Sequence, residues 1–368
     1  MLKKSVTDFL KKECRELARE AEELSEGYSP QIWQKIADLG WLGIGIPEGY
    51  GGLGGDFFDH IIVLQEMGRS LFPGPFIPSA VCASRLLLEF GSESQKADLL
   101  PLMLDGKLII IPALFQPDSF AGECHYENCQ FSETGDGKYK ISGNRLFVPY
   151  ASTADYYLVS FDQVQNQSDG TGRQFLVDAK SPGVNRLTLQ TIASDKQGEV
   201  IFDEVEISDE DVLVNHSNTE TFFNRVRDIG SLAHSAYILG MLERVLEMTV
   251  EYAKNRVQFE KPIGQFQVIQ HQCADMMIDL EQVRYLTYQA GWNISQGLPA
   301  TKKISMAKAR ASDASRRVCL LGIKIQGGIG IIEEYDMQLY FRHAKAMELA
   351  FGDGDYHREI VAAELDMG

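Results

Sequence analysis

A chain of 368 residues is long enough for two or three domains, and 44% hydrophobic with 24% charged residues is the ordinary balance of a globular protein. The formal net charge of −17 argues against nucleic acid or an anionic membrane as the main partner, so an anionic ligand would need a local basic patch. Six cysteines with no CxxC pair leave the zinc patterns unfilled, so no metal site is expected and thiols in a reducing compartment are the default.

Lys3 and Lys4 are not followed by an apolar h-region or a cleavage site, and Asp8 and Glu13 are foreign to a transit peptide, so a cytoplasmic location is expected. The longest apolar run, Leu108 to Phe115, is too short to span a bilayer. Residues 1–108 read as helices. Val6, Phe9, Leu10, Cys14 and Leu17 form one apolar stripe; Trp33, Ile36, Leu39 and Leu42 form another. LGWLGIGIPEGYGGLGG then breaks the helical pattern with Pro47 and its glycines. Gly43-Ile44-Gly45 lacks the third glycine of a dinucleotide fingerprint, because Glu48 stands there, so a sharp inter-helix connection is predicted instead of a phosphate cradle.

Residues 109–213 change texture. KYKISGNRLFVPY alternates and breaks at Ser142-Gly143-Asn144, which predicts a hairpin. ADYYLVSF, RQFLVDA and GEVIFDEVEI are further short strands rich in β-branched and aromatic residues, and Asn166 to Arg173 is a polar loop. Strands at this spacing suggest a small barrel or sandwich.

From residue 214 the chain is helical, in segments of roughly 217–256, 266–296, 300–324 and one from about 335, which suggests a four-helix bundle. Arg256 falls in the last turn of the first segment, where a cation suits the helix dipole. Pro262 stops the helix and Gly264 allows a tight turn. The guanidinium fork fits a phosphate, and Phe259 offers a face to a flat ring. By spacing alone the plainer reading, a helical hairpin with a surface arginine, is favoured. KIQGGIGIIEEY (Lys324 to Tyr335) places Gly327 and Gly328 after a helix, not a strand, so it is no Rossmann turn. Such a glycine pair is either a helix C-cap or a place where backbone N–H groups approach a phosphate or adenine.

The spelling adds what spacing does not. R-x-Q-F-x-K-P-I-G-x-F-Q-x-I-Q-H-x-x-A-D-M, from Arg256 to Met276, closely resembles the C-terminal helical domain of the acyl-CoA dehydrogenase family. W-x-x-I-A-x-L-G-W-L-G-I-G-I-P-E-G-Y-G-G-L-G, then L-Q-E-M-G-R and GSESQKADLLPLMLDGK, resembles its N-terminal domain. The resemblance covers nearly the whole chain. It implies a multi-domain α+β fold: an N-terminal helical domain (1–108), a middle small β-barrel (109–213) and a C-terminal four-helix bundle (214–368). It implies FAD as cofactor, contacted by Arg256 and Gln267 across a subunit interface, with Phe259, Gly327 and Gly328 beside it. Lys324 stands where the family usually has Gln, a group able to reach a phosphate.

Several positions depart from the family. Its Trp-Ile-Thr or Trp-Ile-Ser strand is Phe147-Val148-Pro149 here, without the hydroxyl, and Pro149 lacks an N–H. Its Thr-Glu-Pro segment is Phe115-Gln116-Pro117, and the Gly-Ser-Asp that follows is lost in DSFAGE. Many members take the substrate α-proton with a Glu near the C-terminus, where this chain has Phe351; a minority use the helix leading to Arg256, where it has Gly230. Asp353 is the candidate substitute base, against the plainer reading of a capping or solvated acid.

FGDGDYHRE and LFPGPF resemble the small, companion subunits of heteromeric members, which pair a competent chain with a degenerate one. Three functions follow as expectations. The first is a base-deficient subunit in FAD-dependent α,β-desaturation of an acyl-CoA, passing electrons to an electron-transfer flavoprotein within a homo- or hetero-oligomer. The second is a self-sufficient dehydrogenase with Asp353 as base. The third is a structural partner without flavin.

Overall fold

The structure is a computed structural model describing residues 2–14, 16–115, 130–135, 137–163, 172–213 and 219–366. In chain order the helices are α1 (Leu2–Glu13), α2 (Leu17–Glu23), α3 (Pro30–Asp38), α4 (Phe57–Arg69), α5 (Ser84–Phe90), α6 (Glu93–Leu104), α7 (Thr219–Asn255), α8 (Gln267–Ser295), α9 (Thr301–Gln326), α10 (Met337–Leu349) and α11 (Gly354–Asp366). The strands are β1 (Ile110–Pro112), β2 (Gln130–Gly135), β3 (Lys138–Pro149), β4 (Tyr156–Gln163), β5 (Gly172–Asp178), β6 (Val184–Leu189), β7 (Gln197–Ser208), β8 (Val257–Gln258) and β9 (Lys261–Pro262). In chain order these elements make a helical portion, a curled sheet and a second helical portion. The described residues fall into two compact units, one of 1–18, 57–72 and 231–368, the other of 19–56 and 73–230.

In the first unit the apolar stripe of α1 lies against α4, with Val6 and Leu10 buried. Glycines let α4 and α7 approach closely. A Cβ on Gly240 would lie 1.7 Å from the Gln65 carbonyl oxygen, and one on Gly68 would lie 1.9 Å from that of Tyr237. Helix α9 is the centre of the bundle, packed by α8, α10 and α11. Its buried face runs through Ile304, Ala307, Lys308, Ala311, Ser312 and Ser315, so a lysine stands on an otherwise small and apolar stripe. The expected last helix from about 335 is two helices, α10 and α11, separated by a turn at residues 350–353.

In the second unit α3 is capped by Ser29, whose side chain accepts from the Ile32 N–H, and buries Trp33 and Ile36. The glycine-rich stretch folds back on itself. Leu53 N–H donates to the Gly43 carbonyl, Gly54 to Ile46 and Gly55 to Ile44, as an inter-helix connection should. The sheet order is β1-β4-β2-β3-β7-β6, with β5 pairing β4. The hairpin expected at Ser142-Gly143-Asn144 is absent. β3 runs straight through these residues alongside β7, with a register shift between Ile141 and Gly143. A break in alternation with a glycine suits a bulge as well as a turn, and pairing with β7 selected the bulge.

Candidate functional site

The Arg256 stretch begins where α7 runs out. Arg256 N–H still donates to the Tyr252 carbonyl at 2.8 Å, and Ile263 N–H closes back onto the Arg256 carbonyl at 2.8 Å. Between them Val257 pairs with Pro262 and Gln258 with Lys261, a two-residue hairpin whose turn is Phe259-Glu260. Both turn residues are left-handed, with φ of 51° and 64°. This is the geometry of a type I′ turn, which favours Asn-Gly, so an aromatic and an acid are held there at a conformational cost. The tight turn expected at Gly264 follows as a second one, a single 3-10 turn over Ile263–Gln265 closed by the Phe266 N–H on the Ile263 carbonyl at 3.0 Å. Gly264 also allows close approach there, since its Cβ would lie 3.1 Å from the Ala253 carbonyl oxygen.

Phe259 is 86% exposed, edge-on to Phe266 at 6.1 Å. The ammonium of Lys261 sits 4.5 Å from the Phe266 ring centre. Gln267 opens α8 and is exposed. Arg256 is exposed too, and its side chain makes no hydrogen bond or ion pair among the described residues.

The second motif comes to the same place. Tyr252, one turn before Arg256, donates its hydroxyl to the Gln326 carbonyl at 3.3 Å, at the end of α9. Gly327 leaves that helix with φ of 66°. A Cβ on Gly327 or Gly328 would meet no heavy atom within 4 Å, so the backbone there lies open to a ligand. Lys324 is exposed on the last turn of α9. The Gln326 side chain is 3% exposed, and neither atom of its amide has a partner among the described residues. Lys254, Arg256 and Lys261 stand exposed around the α7–α8 connection, and Lys324 stands exposed near the end of α9, cations available to an anionic ligand on a chain of net charge −17. An open glycine pair, an uncommitted guanidinium and an exposed aromatic ring fit a dinucleotide of phosphates and flat rings.

Phe351 and Asp353, expected from the resemblance at or near the base position, lie elsewhere in the same unit, in the turn between α10 and α11. Phe351 is half-buried with φ of 58°, its ring tilted on His234 at 5.1 Å. Gly230, the alternative position, is buried within α7. The Asp353 side chain accepts from the Tyr356 N–H at 2.9 Å and so caps α11. Reasoning from motifs missed what holds this turn. Lys308 is fully buried and donates to Ser312 Oγ at 2.8 Å and to the carbonyls of Met347 (3.2 Å), Glu348 (3.1 Å) and Gly352 (2.8 Å). Burial pushes its pKa down to about 7, against the upward pull of Asp353 and Glu348. The signal for it was present: a lysine in the buried stripe of α9.

The β-domain departures belong to the second unit. Phe147 is 56% exposed with φ of 53°, beside a register shift between Arg145 and Val148. Pro149 sits opposite Gln197. Phe115 makes an isolated bridge with Leu146, whereas Gln116, Pro117 and the DSFAGE segment lie outside the described residues. No group of three metal-ligating side chains occurs among the described residues.

Known proteins resemble this chain along nearly its whole length. Residues 1–107 match the N-terminal domain of acyl-CoA dehydrogenase, and residues 223–365 match its C-terminal domain. An acyl-CoA dehydrogenase of Bacillus subtilis (strain 168) is 30% identical over 370 residues, covering 99% of this chain and 97% of the relative. Among solved structures, a chain of the ChsE4-ChsE5 complex from Mycobacterium tuberculosis aligns with a TM-score of 0.90 at 29% identity, over 100% of this chain and 96% of that one. Butyryl-CoA dehydrogenase from Megasphaera elsdenii aligns with a TM-score of 0.92 at 25% identity, over 99% and 97%. Fold and site together define a flavoprotein oxidoreductase with FAD as its cofactor. The chain belongs to the acyl-CoA dehydrogenase family.

Proposed function

We propose that this chain is the base-deficient subunit of an acyl-CoA dehydrogenase assembly, working beside a homologous chain that supplies the proton acceptor. The observation that carries the reading is the turn at 350–353. It holds Phe351, which the sequence resemblance aligns with the family's carboxylate, while the neighbouring Asp353 carboxylate is engaged as the cap of α11. A phenyl ring cannot accept the α-proton of a thioester, and neither can Gly230.

The cofactor contributions are retained on this chain. Arg256 offers a charge-assisted contact to a phosphate, Gly327 and Gly328 offer unobstructed backbone N–H groups, and Gln267 and Lys324 stand exposed beside them. Phe259 offers an apolar face to a ring. FAD, when bound, supplies the acceptor for the substrate's β-hydride. Electron-transfer flavoprotein, as the onward electron carrier, and a cytoplasmic site of action complete the proposal. So does a functional division at residues 1–108, 109–213 and 214–368.

The test is to purify the chain alone and together with a homologous, base-bearing chain, load each with FAD, and assay desaturation over straight-chain, dicarboxylic and alicyclic thioesters. The expected result is no turnover alone, turnover in the mixture, and no effect of Asp353→Asn. Robust turnover by the chain alone, abolished by Asp353→Asn, would establish the relocated base instead. A purified protein that never takes up flavin would leave only a structural partner.

A further inference from the structure

A lysine is costly to bury, and Lys308 is buried completely. Four acceptors surround its three N–H donors, and three of the four are carbonyls at one helix end. Helix α10 ends with unpaired carbonyls as every helix does, and solvent or a glycine cap usually satisfies them. Here the Lys308 ammonium reaches the carbonyls of Met347 and Glu348, then reaches past the helix end to that of Gly352. Ser312 shares the task, accepting from Lys308 and donating to Glu348.

A second buried group holds the other side. His357, on α11, is 0% exposed, and its Nε2 lies 3.0 Å from the Phe351 carbonyl oxygen. That oxygen can only accept, so Nε2 donates to it, while Nδ1 lies 3.2 Å from Ser305 Oγ. Ser231 Oγ also lies within 3.4 Å of the same carbonyl. Between these anchors stands a bulky residue in left-handed backbone, a conformation that persists only where its surroundings enforce it.

We propose that Lys308 and His357 are positioning residues for side chain 351: from α9 and α11 they lock the main chain of the 350–353 turn, so that whatever side chain stands at 351 is presented against His234. The lock acts on carbonyl oxygens, not on the Phe351 ring, and is therefore indifferent to the chemistry of that side chain. The functional half of the idea rests on the reading of position 351 as the family's base position. The structural half does not.

The first experiment is amide hydrogen exchange on the full-length protein at constant pH, read in peptides spanning 349–354. Lys308→Met and His357→Leu should each speed exchange there roughly tenfold or more, leaving the middle of α8 unchanged. His357→Gln, which keeps an N–H donor, should remain within about twofold of the parent, a distinction that loss of packing alone would not make. Phe351→Glu should also leave the turn protected. Unchanged exchange in both Lys308→Met and His357→Leu would overturn the proposal, as would equal loosening by His357→Leu and His357→Gln. If Lys308→Met does not fold, the two His357 variants decide.

The second experiment uses phenylacetyl-CoA in D2O and reads exchange of its α-hydrogens. In the FAD-loaded Phe351→Glu protein, the α C–H proton passes to the introduced carboxylate and a deuteron returns to carbon, with no net oxidation. This exchange should appear on Phe351→Glu and vanish when Lys308→Met is added. A protected turn with no α-exchange would retain the lock and remove the family reading of position 351. Exchange persisting in the double variant would overturn the positioning role.

Discussion

Arg256 shows how much a single residue's setting adds to its identity. At the end of α7, exposed and uncommitted to any acid, its guanidinium keeps all its donors for a ligand. Arg256→Ala should weaken flavin retention by about 1.5–3 kcal/mol, the worth of a hydrogen bond to a charged group, measured as FAD occupancy by absorbance after dialysis. Four residues on, Glu260 occupies the second turn position of a tight hairpin at φ of 64°. Glycine takes that conformation without Cβ strain, so Glu260→Gly should stabilise the protein by about 0.5–1 kcal/mol in urea unfolding, after allowing for the greater freedom of glycine in the unfolded chain. Lys308 ties stability to pH. Its folded pKa is about 7, whereas the ordinary value is 10.5. Between those values the unfolded chain binds more protons than the folded one, so raising the pH favours folding. The parent should gain up to about 1.4 kcal/mol per pH unit across that window relative to Lys308→Met, read from paired denaturation curves.

Helix on helix, the decisive feature is the close crossing of α4 and α7. Nothing local marks Gly68 and Gly240 as contact points, since each lies inside an ordinary helix. Only their opposing carbonyls explain them. Gly240→Ala puts a methyl inside the radius of a backbone oxygen on α4, and the two helices must part to admit it. A loss of about 2–3 kcal/mol is expected by chemical denaturation. The bulge in β3 teaches the complementary lesson. Ser142-Gly143-Asn144 announced an irregularity correctly, yet its form depended on whether a partner strand continued on both sides, and β7 does.

At the scale of the whole molecule, α8 carries Ile278, Tyr285 and Trp292 at seven-residue spacing on an exposed face, with Tyr285 75% accessible. A repeat of that period on one helix face is what a second chain covers. A dimer or tetramer is expected at micromolar concentration by sedimentation velocity, and a monomer there would count against both the shared site and the proposed subunit role.

The sequence by itself determined the family, the fold and the cofactor, because the Arg256 and Gly327 motifs are contiguous stretches whose chemistry depends on neighbours in the chain. Tertiary structure alone brought those two motifs together, through Tyr252 and the Gln326 carbonyl, and showed that the glycine pair is open. It also turned Asp353 from an acid near the base position into a helix cap, and Lys308 and His357 from scattered titratable residues into two anchors of one turn. The physical reason is common to all of these. A hydrogen bond between groups 44 or 74 residues apart along the chain leaves no local pattern, since it exists only once packing has brought donor and acceptor within 3.5 Å of each other.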